Sequence, residues 1–291
     1  MKKYIVSKDL EGMPIGHFIE KEFSKGYLKS VMRKKAVRVN GVKVSLDYVL
    51  EAGDEVEFFL KFEPLKRIEI DVIFENDDFF VINKPYGVAV HAGEGVKEKE
   101  ALTSVLAEKF GKYFLVHRLD LNTSGALIVA KNLEACELLK EMFKKGLIVK
   151  EYFALVLGSL RKGVIDEKLE GRKGQEVEAK TFYDLVAEYP LDDLSYLNVK
   201  IEHGRFHQIR KHFSMIKHAI AGDQKYGEFK KNKELARKFG LKRQFLHASR
   251  ISFDWNGEEI SIKAYLPADL EKVISQLNKN KKLAKNEDFF E

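Results

Sequence analysis

The sequence has little cysteine, little proline and no long apolar run. Its 291 residues include one cysteine, Cys136, and five prolines, so an intramolecular disulfide is impossible. No apolar stretch approaches the roughly 20 residues that a helix needs to cross a bilayer. The first residues, Met1 to Lys8, also lack the continuous apolar segment of a signal peptide. We therefore expect a cytoplasmic protein that does not enter a membrane.

Motifs for nucleotide and metal binding are also missing. The chain contains no P-loop and no complete Gly-x-Gly-x-x-Gly pattern, the glycine patterns that cradle phosphates. It contains no His-Glu-x-x-His pattern and no cysteine pair, which zinc sites commonly use. We therefore expect no nucleotide cofactor and no metal. One alternative stays open, a metal-dependent hydrolase using His203, His207 and His212, whose spacing can place two imidazoles on one side of a helix.

Acidic residues are scarce in residues 21–43, which we call the basic segment. The whole chain has 51 Lys and Arg against 45 Asp and Glu, a net charge of +6. The basic segment holds one acid, Glu22, against eight basic residues: Lys21, Lys25, Lys29, Arg33, Lys34, Lys35, Arg38 and Lys43. Such a concentration of charge predicts a surface that binds a polyanion, with RNA the leading candidate. A solvated lysine-rich face is the alternative.

The N-terminal part of the chain combines two short helical patterns with a hairpin. Apolar residues recur at helical spacing over 15–23 and over 28–32. The stretch 36–44 alternates around Asn40-Gly41, the strongest short signal for a hairpin, and a further strand is predicted before residue 58. The regular pattern then stops, which places a linker at 61–68. We therefore predict a small domain over 1–60 and a larger domain over 69–291.

The larger domain mixes strands and helices irregularly. Strands are predicted at 70–75, 79–83, 126–130, 152–157 and 197–201, and helices at 103–110, 133–143, 206–215 and 269–277. This order predicts an α+β fold with a mixed sheet rather than regular βαβ winding.

A carboxylate lies in the loop before a predicted buried strand. The loop His117 to Gly125 contains Asp120 and runs directly into the apolar stretch Ala126 to Ala130. A loop delivered to a strand end can hold an Asp side chain and still expose it, as catalysis requires. Asp120 taken alone equally fits a residue that only shapes the turn. A second polar segment, His203 to His212, opens a helix with several cations, which can pair with a carboxylate or with phosphates.

Four segments together resemble the RluA-type pseudouridine synthases. The loop reads His-Arg-Leu-Asp-x-x-Thr-Ser-Gly, which resembles the family's signature loop. The other three are similar to further motifs of the family: Asn83-Lys84-Pro85-x-Gly87, Lys150-x-Tyr152-x-Ala154-x-Val156-x-Gly158, and Gly204-Arg205-x-His207-Gln208-Ile209-Arg210-x-His212. The small domain resembles the S4 RNA-binding domain. The resemblance implies the α+β pseudouridine synthase fold, with a mixed, largely antiparallel sheet, preceded by an S4-like domain.

The same resemblance implies roles for individual residues. Asp120 is then the catalytic residue, Arg210 its ion-pair partner and Tyr152 the stacking partner of the target uracil and the base for the last proton removal. Arg118 fills the space that the flipped base leaves. The remaining expected RNA contacts are Lys84, Arg205 and His207 in the larger domain and Lys29, Arg33, Lys34 and Arg38 in the S4-like domain. A guanidinium beside Asp120 would favour its charged form.

The implied activity is the isomerisation of uridine to pseudouridine in RNA. We expect the enzyme to be a monomer. The target implied for a synthase with an S4-like domain is large-subunit ribosomal RNA, with transfer RNA as the alternative. Asp120 would either attack C1′ of the ribose or remove a proton from C2′, and the sequence leaves both routes open. A non-catalytic RNA-binding or ribosome-assembly protein is the competing function. Three positions depart from the family pattern, His203, Phe206 and Ala219, where Thr, Thr and Pro are usual.

Overall fold

The computed structural model describes residues 2–22, 37–59, 68–91, 101–171 and 174–287. The chain divides into two compact units, residues 1–67 and 68–291. The predicted helix over 28–32, with Lys29, Arg33 and Lys34, lies outside the described residues, as does most of the predicted linker. Among the described helices, none is both long and apolar enough to span a membrane.

The first unit is a four-stranded antiparallel sheet with one helix. The strands are β1 (Lys2–Ile5), β2 (Val37–Val39), β3 (Val42–Lys43) and β4 (Glu55–Phe58), in the order β1-β4-β2-β3. Helix α1 (Ile15–Glu22) buries Ile15, Phe18 and Ile19 in the core of this unit. Asn40 and Gly41 both have positive φ, 51° and 78°, as a two-residue hairpin turn requires. The predicted first helix and hairpin are confirmed.

The second unit is built on a ten-stranded sheet. Its strands are β5 (Asp71–Glu75), β6 (Phe79–Lys84), β7 (Phe114–Leu115), β8 (Ser124–Ala130), β9 (Val149–Leu157), β10 (Lys162–Asp166), β13 (Lys180–Tyr189), β14 (Leu194–Ile201), β15 (Leu246–Trp255) and β16 (Glu258–Lys263). They follow the order β10-β13-β14-β9-β15-β8-β6-β5, with β16 beside β15 and β7 beside β8. Among the described strands, only β15 and β8 pair in parallel, so the predicted mixed, largely antiparallel α+β fold is confirmed. A separate small pair joins β11 (Leu169–Glu170) to β12 (Glu176–Val177).

Helices cover both faces of the large sheet. They are α2 (Leu102–Phe110), α3 (Leu133–Lys145), α4 (Gln208–Met215), α5 (Phe229–Phe239) and α6 (Ala268–Glu287). Helices α2 and α4 pack on the face that carries Tyr152, whereas α3, α5 and α6 contribute to two other apolar clusters. We call the face with Tyr152 the front face. The candidate site lies there, beside the first turn of α4.

Helix α4 begins two residues later than the sequence predicts. The predicted helix started at Phe206, but His207 has a φ of 55°, which a right-handed helix cannot contain. Its side chain instead forms a hydrogen bond to Tyr226. The helical spacing continues through residues 206 and 207, so the pattern did not reveal this turn.

Candidate active site

The Asp120 loop is fixed from behind by the segment that leads into β15. Arg243 Nη1 donates to the carbonyl oxygen of Asn122 at 3.0 Å, and Gln244 Nε2 donates to Thr123 Oγ1 at 2.9 Å. Ser124 Oγ and His247 Nδ1 are 3.0 Å apart. The sheet passes close here, because a Cβ on Gly125 would lie 2.2 Å from the carbonyl oxygen of Ala248. The loop is therefore a rigid support for a side chain.

Lys84 supports the same loop from inside the fold. Its ammonium is fully buried and donates to the carbonyl oxygens of Pro85 at 2.8 Å, Val88 at 2.9 Å and Leu121 at 3.4 Å. Burial lowers the pKa of Lys84 to about 7. The prediction that Lys84 contacts RNA is wrong, because its polar atom faces backbone carbonyls of the loop. The sequence signal was a polar motif, and it did not distinguish a surface lysine from a buried one.

Arg210 joins two carboxylates. Its Nη1 donates to Asp120 Oδ2 at 3.0 Å, while Nε and Nη2 donate to Asp223 Oδ2 and Oδ1 at 2.6 and 2.9 Å. Burial opposes the charge of Arg210, but the hydrogen bonds and charges of Asp223 and Asp120 raise its pKa above the ordinary value. The predicted pairing of Arg210 with Asp120 is present, and it uses one of the guanidinium's three hydrogen bonds.

Asp223 is a site residue that the sequence reasoning did not select. Its side chain is fully buried, and Oδ1 also accepts from the backbone amides of Lys225 and Tyr226 at 2.9 and 3.0 Å. Burial alone would raise the pKa of Asp223, but the hydrogen bonds from Arg210 and the two amides lower it below the ordinary value. The sequence signal was the Gly222-Asp223 pair before Tyr226, thirteen residues beyond Arg210.

His207 lies between Asp120 and Tyr226. Its Nδ1 is 3.0 Å from the Tyr226 hydroxyl, and its Nε2 is 3.7 Å from Asp120 Oδ2. Burial lowers the pKa of His207 to about 4, although the charge of Asp120 acts in the opposite direction. The imidazole is therefore neutral at pH 7 and only 14% of the side chain is exposed. His207 is therefore not the cation that the sequence suggested, and its contact with RNA at the cleft stays a prediction.

Asp120, Tyr152 and Arg210 meet at one small cleft on the front face. The cleft has a volume of about 70 Å³, and the exposed cations Arg118 and Arg205 line it as well. The Asp120 side chain is 23% exposed, so the carboxylate is reachable from the cleft. Burial, followed by the charge of Asp120, raises the pKa of Tyr152 above the ordinary value. Tyr152 is therefore a neutral phenol at pH 7.

Arg205 and Arg38, two further residues predicted to contact RNA, lie within the described part of the chain. Arg205 is exposed at the cleft, and its Nε donates to the carbonyl oxygen of Glu178 at 3.0 Å. In the first unit, the Arg38 guanidinium lies 4.8 Å from the centre of the Phe59 ring.

The three histidines of the hydrolase alternative do not form a metal site. His212 uses both ring nitrogens, on Thr181 Oγ1 at 2.8 Å and on the carbonyl oxygen of Glu167 at 3.0 Å. Within the described ranges, no group of three or more His, Cys, Asp or Glu side chains has the arrangement of a metal site. The geometry therefore gives this alternative no support.

Comparison with known proteins identifies the family. Residues 78–215, which contain Asp120, Tyr152 and Arg210, match the model of the RNA pseudouridylate synthase family. Ribosomal large subunit pseudouridine synthase C of Vibrio parahaemolyticus is 31% identical over 306 residues, covering 94% of this chain and 96% of the relative. This chain belongs to the pseudouridine synthase family. Ribosomal large subunit pseudouridine synthase D of Vibrio cholerae is 30% identical over 300 residues, 92% of this chain and 91% of the relative.

The fold of this synthase also occurs in a solved member of the family. Human RNA pseudouridylate synthase domain containing 4 superposes with a TM-score of 0.61 at 23% identity, covering 72% of this chain and 93% of that chain. The synthase is an isomerase that converts uridine to pseudouridine in RNA. The competing prediction of a non-catalytic RNA-binding protein is therefore set aside.

Proposed function

We propose that this synthase modifies large-subunit ribosomal RNA and that Asp120 is its catalytic residue. The observation that carries the catalytic proposal is the Asp120 carboxylate, bound by Arg210 at 3.0 Å yet exposed to the cleft that Tyr152 lines. The names of the relatives from both Vibrio species support the ribosomal target. A ribosomal RNA target also supports the proposed cytoplasmic location.

The reaction needs a carboxylate at the ribose. The bond from N1 of uracil to C1′ breaks, the base turns, C5 joins C1′ and the C5 proton leaves, so no atom is gained or lost. Asp120 would begin the reaction either by attack on C1′ or by removal of a C2′ proton. Since Arg210 binds Oδ2, the other carboxylate oxygen is the one we propose for this step. The reacting atoms of a nucleotide in a base-paired RNA helix are not accessible to the enzyme, so the uridine must first be flipped out, at a cost of a few kcal/mol.

Tyr152 and Arg118 are proposed to handle the flipped base. The aromatic ring of Tyr152 offers the uracil a stacking face at the cleft, and Arg118 would fill the space that the base leaves. The raised pKa of Tyr152 means that the phenol carries its proton before the substrate binds. If Tyr152 removes the C5 proton, it must first lose its own while the RNA is bound.

We propose that the small domain provides a second RNA-binding surface. We assign residues 1–60 to an S4-like RNA-binding domain, with Lys29, Arg33, Lys34 and Arg38 as phosphate contacts, residues 61–68 to a linker and residues 69–291 to the catalytic domain. The concentration of positive charge in the basic segment supports this assignment. We propose that the enzyme is a monomer.

The target is tested by mapping pseudouridine in cells. Carbodiimide adducts on pseudouridine stop reverse transcriptase, so ribosomal and transfer RNA from cells with and without this protein can be compared. We expect at least one stop in large-subunit ribosomal RNA that disappears with the protein. A stop lost only from transfer RNA would contradict the ribosomal target and leave the synthase activity intact.

The catalytic roles are tested on the mapped RNA carrying C5-tritiated uridine. Asp120→Asn should abolish tritium release while the dissociation constant for RNA changes less than about threefold. Tyr152→Phe keeps the stacking face and should slow release strongly at unchanged binding. Undiminished release by Asp120→Asn would overturn its catalytic role, and parental turnover by Tyr152→Phe would exclude the tyrosine as the base.

A further inference from the structure

An exposed aromatic ring stands at the rim of the cleft. Phe206 is 51% exposed and lies between Arg205 and His207, both of which line the cleft. It belongs to none of the apolar clusters formed by the described residues. Packing of the core therefore does not account for this side chain.

The Phe206 ring is held in place although it is exposed. Its centroid lies 3.8 Å from that of His207, and the two rings are within 22° of parallel. The hydrogen bond between His207 and Tyr226 fixes the ring on which Phe206 rests. A side chain ordered in advance loses little conformational entropy when a ligand binds. Phe206 is therefore a preorganised aromatic surface.

Cations lie near Phe206, and in the adjoining cleft they outnumber the Asp120 carboxylate. Lys211 Nζ lies 5.7 Å from the centre of the Phe206 ring, and the exposed Arg118 and Arg205 line the same cleft. An aromatic ring among cations is the combination with which proteins bind single-stranded RNA, because bases stack on the ring and phosphates contact the cations.

We propose that Phe206 stacks on an unpaired base next to the target uridine, so that the enzyme selects RNAs that present an unpaired base at this position. The proposal rests on the synthase activity and on the cleft around Asp120 as its site. It adds a contact outside the cleft, to a nucleotide that is not itself modified. Because the contact is a stack, it accepts any base at that position and fails when the base is missing.

The test combines removal of the ring with removal of the base. The probe is a synthetic RNA of about 20 nucleotides around the mapped uridine, made in versions that each replace one neighbouring nucleotide by an abasic one. For the intact RNA, Phe206→Leu should raise KM about tenfold and change kcat less than twofold. For one abasic version, the KM of the parent protein should rise by a similar factor. On that same RNA, Phe206→Leu should have the same KM as the parent protein. Phe206→Trp should restore the parental KM.

The control variant makes the same chemical change on the opposite face of the sheet. Tyr183 and Tyr152 both align with Val199 across the sheet, so Phe182, the neighbour of Tyr183 on β13, points away from the front face. Phe182→Leu should leave KM unchanged for every RNA. Two results would overturn the proposal. In the first, Phe206→Leu raises KM by the same factor for the intact RNA and for every abasic version. In the second, Phe206→Leu lowers kcat on every RNA, since Phe206 would then only support His207. A transfer RNA target would change the probe and not the outcome.

Discussion

At the scale of single residues, Arg210 is shared unequally between two carboxylates. Two of its hydrogen bonds go to the fully buried Asp223 and one goes to Asp120. This division fixes the plane of the guanidinium, and so leaves Asp120 bound at a single oxygen. Asp223 is thus a positioning residue for the carboxylate that we propose as catalytic.

Asp223→Asn should therefore harm both stability and activity. The buried Arg210 would keep only Asp120 as a counter-charge, and breaking a buried pair costs about 3–5 kcal/mol; retained amide hydrogen bonds bring our expectation to about 2–4 kcal/mol. We expect kcat to fall at least tenfold, because Arg210 is then free to turn toward Asp120. Chemical denaturation and tritium release measure the two effects.

An exposed ion pair on the same domain provides the control for Asp223→Asn. Asp184 is 60% exposed and lies 3.3 Å from Lys162, so Asp184→Asn should change stability by less than about 0.5 kcal/mol. An Asp223→Asn protein with parental kcat would exclude the positioning role. Restored activity in Asp223→Glu would support it.

At the scale of elements, His117 links the Asp120 loop to strand β8. Its Nε2 accepts the backbone amide of Ile128 at 2.9 Å, and its ring lies against Phe143 of α3. Burial, followed by the charge of Lys150, lowers the pKa of His117 to about 3. Protonated His117 could not accept this hydrogen bond, so this one link between the loop and the sheet exists only while the ring is neutral.

The His117 hydrogen bond predicts a loss of stability in acid. Since the folded pKa of about 3 lies below the unfolded value of about 6.5, the folded state resists protonation. The contribution of neutral His117 to the free energy of unfolding is complete above pH 6.5. It declines as the pH falls toward 3, by at most about 1.4 kcal/mol per pH unit. His117→Gln keeps an acceptor that does not titrate, so its free energy of unfolding should depend less steeply on pH in this range.

The control for His117→Gln is an exposed histidine in the same unit, His91. His91→Gln should keep the parental pH dependence. His207 and His247, whose pKa values burial also lowers, each to about 4, contribute equally to the parent and to both variants. Identical slopes for the parent and His117→Gln would contradict the proposed link.

At the scale of the whole molecule, the concentrated positive charge and the candidate active site lie in different parts of the chain. The net charge is only +6, and the basic segment belongs to the first unit, whereas Asp120, Tyr152 and Arg210 belong to the second. This separation leads us to expect that RNA affinity and turnover can be changed independently.

Neutralising the basic segment should therefore weaken RNA binding without changing the chemical step. We expect replacement of Lys29, Arg33, Lys34 and Arg38 by Gln to lower affinity at low salt. The slope of log K against log salt should become shallower by up to about 3, since each lost phosphate contact on single-stranded RNA contributes about 0.7. The kcat at saturating RNA should stay within about twofold. Filter binding over a salt series and tritium release measure these effects.

The matched control neutralises four lysines of the second unit that line a large groove on the opposite face from Tyr152: Lys144, Lys145, Lys162 and Lys200. Their replacement by Gln should leave both the affinity and the salt slope close to the parental values. Equal losses in the two quadruple variants would mean that the basic segment acts only through the overall charge of the protein.

The sequence by itself determined the types of the elements that it predicted and the position of the Asp120 loop, but it did not predict strands β13 and β15 or helix α5. Asn40-Gly41 predicted a hairpin because few residues accept positive φ, and the apolar stretch after Gly125 predicted a buried strand because only a core can cover it. The motif around Asp120 could be recognised in the sequence because its residues are consecutive. The predicted pairing with Arg210 came from the family resemblance, since the two residues are ninety positions apart.

Only the tertiary structure decided where the polar atoms point. Lys84 and His207 resembled surface cations in the sequence, yet one is enclosed by carbonyl oxygens and the other is neutral between Asp120 and Tyr226. Asp223 became a site residue because the turn after Ile220 brings it under Arg210. Burial and hydrogen-bond direction depend on residues that are distant in the chain, and local sequence patterns contain neither.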